Sequence, residues 1–139
     1  MEKNYTILYK GDLRCEAKHL KSGCDLTTDA PTDNNGKGEQ FSPTDLLATA
    51  LTTCILTVVG IYFRKKGREL TDIHCDVQKV MASDPRRIKE VIIHFDFLDN
   101  EFTYDEYKLI EHYVHHCPVT ESLSKDIMIT TNIASFYSS

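Results

Sequence analysis

Between Leu46 and Phe63 the chain reads LLATALTTCILTVVGIYF, 18 residues without a charge. No other stretch limits the possible folds as strongly. A bilayer span needs about 20 consecutive apolar residues, with about 17 as a lower limit, so this segment must either cross a membrane or be covered by protein. Four of its residues are Thr, and the flanking sequence alternates like a sheet protein. A lone span would leave those strands little to pack on, which makes the segment a buried core helix. Its start is marked by Ser42 as N-cap, Pro43 at the first helical position and Asp45 in the first turn. Its end is marked by Gly67 after Lys66. The helix is then roughly 24 residues, or about 36 Å long.

At about 100° per residue, Leu47, Ala50, Leu51, Val58 and Ile61 fall on the same side as Cys54. Thr49, Thr53, Thr57 and Gly60 make a strip of small residues on one flank, and Leu56, Val59 and Phe63 cover the far side. A helix apolar almost all round is expected to be packed on nearly every face.

The other segments predict strands and shorter helices. Tyr5–Lys10 and Leu13–Leu20 read as a hairpin turning at Gly11-Asp12, with Asp25–Thr28 continuing the sheet. Ala30–Gln40 is a polar loop with Gly and Pro, either mobile or folded over something. Ile73–Ala82 and Ile88–Leu98 form a strand pair joined by SDPRR. A helix over Thr103–His116 turns Tyr107, Ile110 and Val114 inward. A short helix over Pro118–Ser124 and a strand over Asp126–Ile133 complete the chain. The order βββ-α-ββ-αα-β predicts an α+β fold, antiparallel sheets around a long central helix, in one domain over residues 1–139.

Charge and cysteine count exclude some functions. A formal charge of −5 disfavours nucleic acid as a partner, since phosphate binding needs a basic face. The RKKGR cluster at Arg64–Arg68 reads as a solvated helix end. There are five cysteines, an odd number, and the N-terminus is polar with no signal-peptide apolar region. The expected setting is cytoplasmic and reducing, where disulfides are transient and chemical.

Cys117 lies in HHCPVTESL, residues 115–123. Pro118 ends one helix and suits the first turn of the next, which makes Cys117 an N-cap. A thiol there faces N–H groups that favour its thiolate, and a protonated His115 or His116 would add to this. The competing reading is a small buried core residue, as free cysteines usually are. Cys54, centred on an apolar stripe, reads by itself as inert core, and Cys75 on a strand does too. Cys15 and Cys24 have no neighbours that suggest chemistry. His112 and His116, four apart on one helix face and beside Cys117, leave zinc binding as a third possibility. It lacks a CxxC pair or a carboxylate of recognisable spacing. Neither a dinucleotide fingerprint, a P-loop nor a nucleophile elbow occurs.

The segment FSPTDLLATALTTC, ending at Cys54, together with HCPVTESL around Cys117, resembles the OsmC/Ohr family of thiol-dependent hydroperoxide reductases. The similarity runs from about Glu39 to Ile133, with the GREL turn included. It implies an intertwined homodimer with two long helices between sheets and active sites at the subunit interface. It also implies roles. Cys54 would attack the peroxide O–O bond of an organic hydroperoxide and become a sulfenic acid. Cys117 would resolve it as a disulfide, and an external dithiol would reduce that bond. No metal or organic cofactor is implied.

The chain departs from the family pattern at Thr44, where the best-characterised members carry a Glu that pairs with an Arg and stabilises the thiolate. Asp45 follows, where a related branch has its acid. Arg14 is the one arginine before the helix, and Lys37 is a substitute candidate for the cation. A family protein whose thiols sense or bind a small electrophile without turnover is the alternative that Thr44 favours.

Overall fold

The computed structural model describes residues 2–138, which fall into two compact units divided between Leu47 and Ala48. The first unit is a three-stranded antiparallel sheet, β1 (Tyr5–Gly11), β2 (Arg14–His19) and β3 (Asp25–Asp29), in that order. Its first turn is centred one residue later than predicted. Gly11 pairs with Arg14 across a bulge, and Asp12 and Leu13 take φ of 53° and 61° at the tip. Gly11 goes to the bulge, so the positive-φ positions of a two-residue hairpin fall on the next two residues. The polar loop is folded. It makes a 3₁₀ turn at Thr32–Asn34, and the amides of Gly36 and Gly38 bond back to the Pro31 and Ala30 carbonyls.

The helix α1 spans Pro43–Lys65, close to expectation, because both of its ends are set by local chemistry. The Asp45 amide donates to Ser42 Oγ at 3.0 Å, and the Ser42 amide donates to Asp45 Oδ2 at 2.9 Å. This is a capping box with Asp at its third position. At the other end Gly67 has φ 81°, with Gly67 N–H bonded to the Arg64 carbonyl and Arg68 N–H to the Phe63 carbonyl. That pattern closes the helix and leaves Arg68 against the ring of Phe63.

The packing of α1 differs from expectation. Within this chain it buries one face, Ala48, Leu51, Thr52, Ile55, Val59 and Phe63, while Ala50, Thr53, Thr57 and Ile61 are exposed. The core stripe is centred near Ile55, one residue and about 100° round from Cys54, which lies at its edge. By length and composition α1 is the one helix among the described residues that would suit a membrane span.

The second unit holds a sheet of order β4-β5-β6: His74–Ala82, Arg87–Asp96 and Met128–Thr131. Strands β4 and β5 are antiparallel, but β6 runs parallel to β5, with Val91 opposite Ile129. The expectation of purely antiparallel sheets is corrected at this strand. β6 is also shorter than predicted, because the Asn132 side chain takes over the ladder. Its Oδ1 accepts from Phe95 N at 2.8 Å, its Nδ2 donates to Phe95 O at 3.0 Å, and a 3₁₀ turn at Ile133–Phe136 follows. Alternate residues of β5, Val91, Ile93 and Phe95, form the buried side. Helix α2 (Tyr104–His115) starts with a capping box between Thr103 and Glu106 and buries Ile110 and Val114. Helix α3 (Pro118–Ser122) follows after a two-residue break.

Candidate functional site

The chemistry-bearing residues of the second unit meet where α3 begins. Cys117 is its N-cap (φ −97°, ψ 162°), Pro118 occupies the first helical position, and the thiol is fully buried. Pro118 has no N–H for the carbonyl four residues back, that of Val114. The Thr120 hydroxyl takes that place, donating to Val114 O at 2.8 Å. The same hydroxyl lies 3.1 Å from Cys117 Sγ, and the Thr120 amide donates to that sulfur at 3.5 Å.

Cys54 reaches this turn from α1. Its half-buried thiol lies near enough to that of Cys117 for each to shift the acidity of the other, and the Val119 N–H acts on both sulfurs. No cross-link joins them; all five cysteines are free. Their acidities separate in opposite directions. Burial pushes the Cys54 thiol up, and the Cys117 contact adds to this against the Val119 amide. Burial also works to raise Cys117, but the Thr120 hydroxyl and amide, together with the neighbouring Cys54 thiol and Val119 amide, outweigh it and hold Cys117 below the ordinary range. In the reduced pair the proton belongs on Cys54 and negative charge is best held on Cys117. The remaining thiols lack this setting. Burial pushes Cys75 up to about 11, Cys15 is half-buried on β2, and Cys24 is exposed.

The cation candidates lie in the first unit. Arg14 clamps Asp29 with two bonds, Nε to Oδ1 at 2.7 Å and Nη2 to Oδ2 at 2.8 Å, and reaches Glu39 at 3.1 Å. Asp29 is 1% exposed, and the Glu39 amide donates to it as well. The guanidinium holds the Asp29 carboxyl below its usual value, and the carboxylate raises Arg14. Arg14 is thus shared by two acids. Lys37 sits 3.8 Å from Asp12. The Asp45 carboxylate caps α1, and the Thr44 hydroxyl is 3.2 Å from that of Ser42.

The zinc possibility finds no geometric support. The His112 and His116 rings stack at 4.4 Å, and His116 Nδ1 faces Glu121 at 3.5 Å. Among the described residues no three His, Cys, Asp or Glu side chains gather as a metal site.

Three residues escaped the reading of the sequence: Thr120 and Val119 beside the thiols of the second unit, and, within the first unit, Asp29 as the partner of Arg14. Thr120 carried a usable signal, since it is the third residue after an N-cap followed by proline, where cap bonds are made. Asp29 carried none, because its burial depends on an arginine 15 positions away.

The OsmC-like protein family profile matches residues 36–132. A solved protein from Psychrobacter arcticus 273-4, provisionally assigned to osmotic stress induction and detoxification response, is 43% identical. The alignment covers 94% of this chain and 95% of that one, at a TM-score of 0.89. An OsmC-like protein from Mycoplasma pneumoniae is 18% identical over 95% of both chains, at a TM-score of 0.74. An organic hydroperoxide resistance protein from Legionella pneumophila shares the fold at 13% identity and a TM-score of 0.66, over 93% of this chain and 95% of that one. No curated protein matches. With the profile covering both cysteine motifs and the strands between them, the chain belongs to the OsmC-like protein family.

Proposed function

We propose that the protein is a cysteine-based peroxidase that reduces organic hydroperoxides, with Cys54 as the attacking residue and Cys117 as the resolving one. The observation that carries this reading is the proximity of the two thiols at the start of α3, close enough for each to shift the acidity of the other. The hydroperoxide class follows the relatives named for hydroperoxide resistance. In the reaction, the Cys54 thiolate attacks one peroxide oxygen. An S–O bond forms, the O–O bond breaks, and the alcohol leaves with a proton. The Cys117 sulfur then displaces hydroxide from the Cys54 sulfenic acid, which leaves as water and gives the disulfide. An external dithiol restores both thiols.

Cys54 needs ionising first, and Thr44 removes the family's acid from its usual place. In this reading Cys117 is the base. Its thiolate accepts the proton of the neighbouring Cys54 thiol, which exchanges an inert arrangement for a reactive one. The upward shift of the Cys54 thiol and the double neutralisation of Arg14 also favour a second reading, a thiol sensor that oxidises without turning over.

Mass spectrometry under non-reducing conditions tests both readings, after one equivalent of cumene hydroperoxide. The expected product is a Cys54–Cys117 disulfide within seconds, recycled by added dithiol. A disulfide that forms but is not recycled identifies the sensor. Thiols left unmodified after long exposure overturn both readings. A reducing, cytoplasmic setting suits such a cycle.

The proposed active form is a homodimer. The first unit exposes Tyr5, Ile7, Leu8, Tyr9 and Leu26 from a thin sheet, which is unusual for a chain that works alone. On α1, the Thr53 and Thr57 hydroxyls fold back onto the carbonyls of Thr49 and Thr53 at 2.8 Å. Their donors are thereby used, and the exposed strip presents methyl groups suited to close helix contact. Sedimentation is expected to give twice the 15.9 kDa chain mass. Thr57→Arg is expected to shift it to one chain with little change in helical content. A wild-type monomer at all concentrations would rule the dimer out.

A further inference from the structure

Thr120 has one hydroxyl proton and two acceptors within reach, Val114 O at 2.8 Å and Cys117 Sγ at 3.1 Å. While Cys117 carries a proton, S–H donates to Thr120 Oγ1 and the hydroxyl donates on to Val114 O. Once Cys117 becomes a thiolate, it has no proton to give. The contact then survives only if the hydroxyl turns its own proton to the sulfur. Thr120 is 8% exposed, so water has little access to replace either bond.

We propose that Thr120 is a positioning residue for the reductive half of the cycle, a hydroxyl that turns from Val114 to Cys117 as Cys117 leaves the disulfide. This rests on the peroxidase reading for its reaction. The incoming thiolate of the dithiol bonds to Cys54 Sγ, the half-buried member of the pair, while Cys117 is closed to attack. The Cys54–Cys117 bond breaks, and its electron pair departs on Cys117 Sγ. The second thiol of the reductant, as thiolate, then displaces Cys54 and leaves as a disulfide. A thiolate that is better stabilised leaves faster, and the Thr120 hydroxyl and amide are donors aimed at that sulfur. Pro118 is what makes the hydroxyl switchable, because it leaves the Val114 carbonyl in need of a donor when the sulfur does not. Cys54 faces Cys117 from α1, and His116 adjoins it on its own segment with its ring towards Glu121.

The test compares Thr120→Val, which keeps the shape, with Thr120→Ser, which keeps the hydroxyl. Diamide is expected to form the disulfide in wild type and in both Thr120 variants, so the reductive step is followed with dithiothreitol even if peroxide proves not to be the oxidant. Thr120→Val is expected to slow reduction on the order of tenfold, and Thr120→Ser to restore it. In a Cys54→Ser background Cys117 titrates alone. There, thiolate absorbance is expected to appear at higher pH when Thr120→Val is added, and at the original pH when Thr120→Ser is added. Equal reduction rates together with an unmoved Cys117 titration would overturn the proposal, as would the absence of any diamide disulfide. Failure of the peroxidase reading shows separately, as wild-type thiols that peroxide leaves unoxidised.

Discussion

Cys54→Ser is expected to abolish hydroperoxide turnover, a loss on the order of 10³-fold or more, as removal of a nucleophile gives. Cys117→Ser is expected to behave differently. The first equivalent of peroxide still oxidises Cys54, but with no thiol alongside, the product stalls as a sulfenic acid and over-oxidises when peroxide is in excess. Its pH profile should move as well. Burial holds Cys54 above the ordinary cysteine range of about 8.5, and serine cannot take its proton as a thiolate does. The reactive fraction of Cys54 in Cys117→Ser therefore rises only as pH climbs through that raised value, so the variant is slow at neutral pH and gains rate in alkali. Wild type, with Cys117 as base, should react at lower pH than this variant. Dimedone labelling and stopped-flow oxidation across pH provide the measurements. A Cys54→Ser variant that still consumes peroxide catalytically would exclude Cys54 as the attacking residue. A Cys117→Ser variant as fast as wild type at neutral pH would exclude Cys117 as its base.

What could be read in advance follows from how local each interaction is. The ends of α1 were legible because Ser42, Pro43, Asp45 and Gly67 act within one turn of the residues they cap. The N-cap position of Cys117 was legible for the same reason, since proline at the next position restricts its backbone by itself. The core face of α1 was not. A helix apolar on all sides carries no internal signal of which side its own chain covers, and the buried stripe proved to be centred on Ile55 rather than Cys54. The parallel pairing of β6 depends on where the chain goes after α3, which alternation along Ile127, Ile129 and Thr131 does not encode. The Cys54–Cys117 contact joins distant segments. From residues alone Cys117 stood open between inert core and chemistry while Cys54 read as inert core, and only the resemblance of both motifs linked them.

Phe63→Ala is expected to have the largest effect on stability, about 3–5 kcal/mol, as for other fully buried phenylalanines. Phe63 is 1% exposed at the last turns of α1, and its ring meets those of Tyr62 at 5.2 Å and Phe102 at 5.3 Å. Its loss leaves a void that these rings cannot close without leaving their own partners, Tyr113 and Phe97. It also strips one side of the Arg68 guanidinium, which lies 5.5 Å from Phe63 and 4.7 Å from Phe102. Against a typical total of about 5–15 kcal/mol, such a loss brings the domain near unfolding. Urea denaturation measures it, and a change below about 1 kcal/mol would contradict the packing described. Ile61, two residues earlier, is the informative control because it is 49% exposed within the chain. In a chain that stays alone, Ile61→Ala should change stability by no more than about 0.5 kcal/mol. In the proposed dimer it removes interface contact, so its cost should depend on protein concentration, because association stabilises by mass action. The Phe63→Ala deficit arises within one chain and should persist at every concentration. The two substitutions therefore separate what this chain buries by itself from what a second copy must cover.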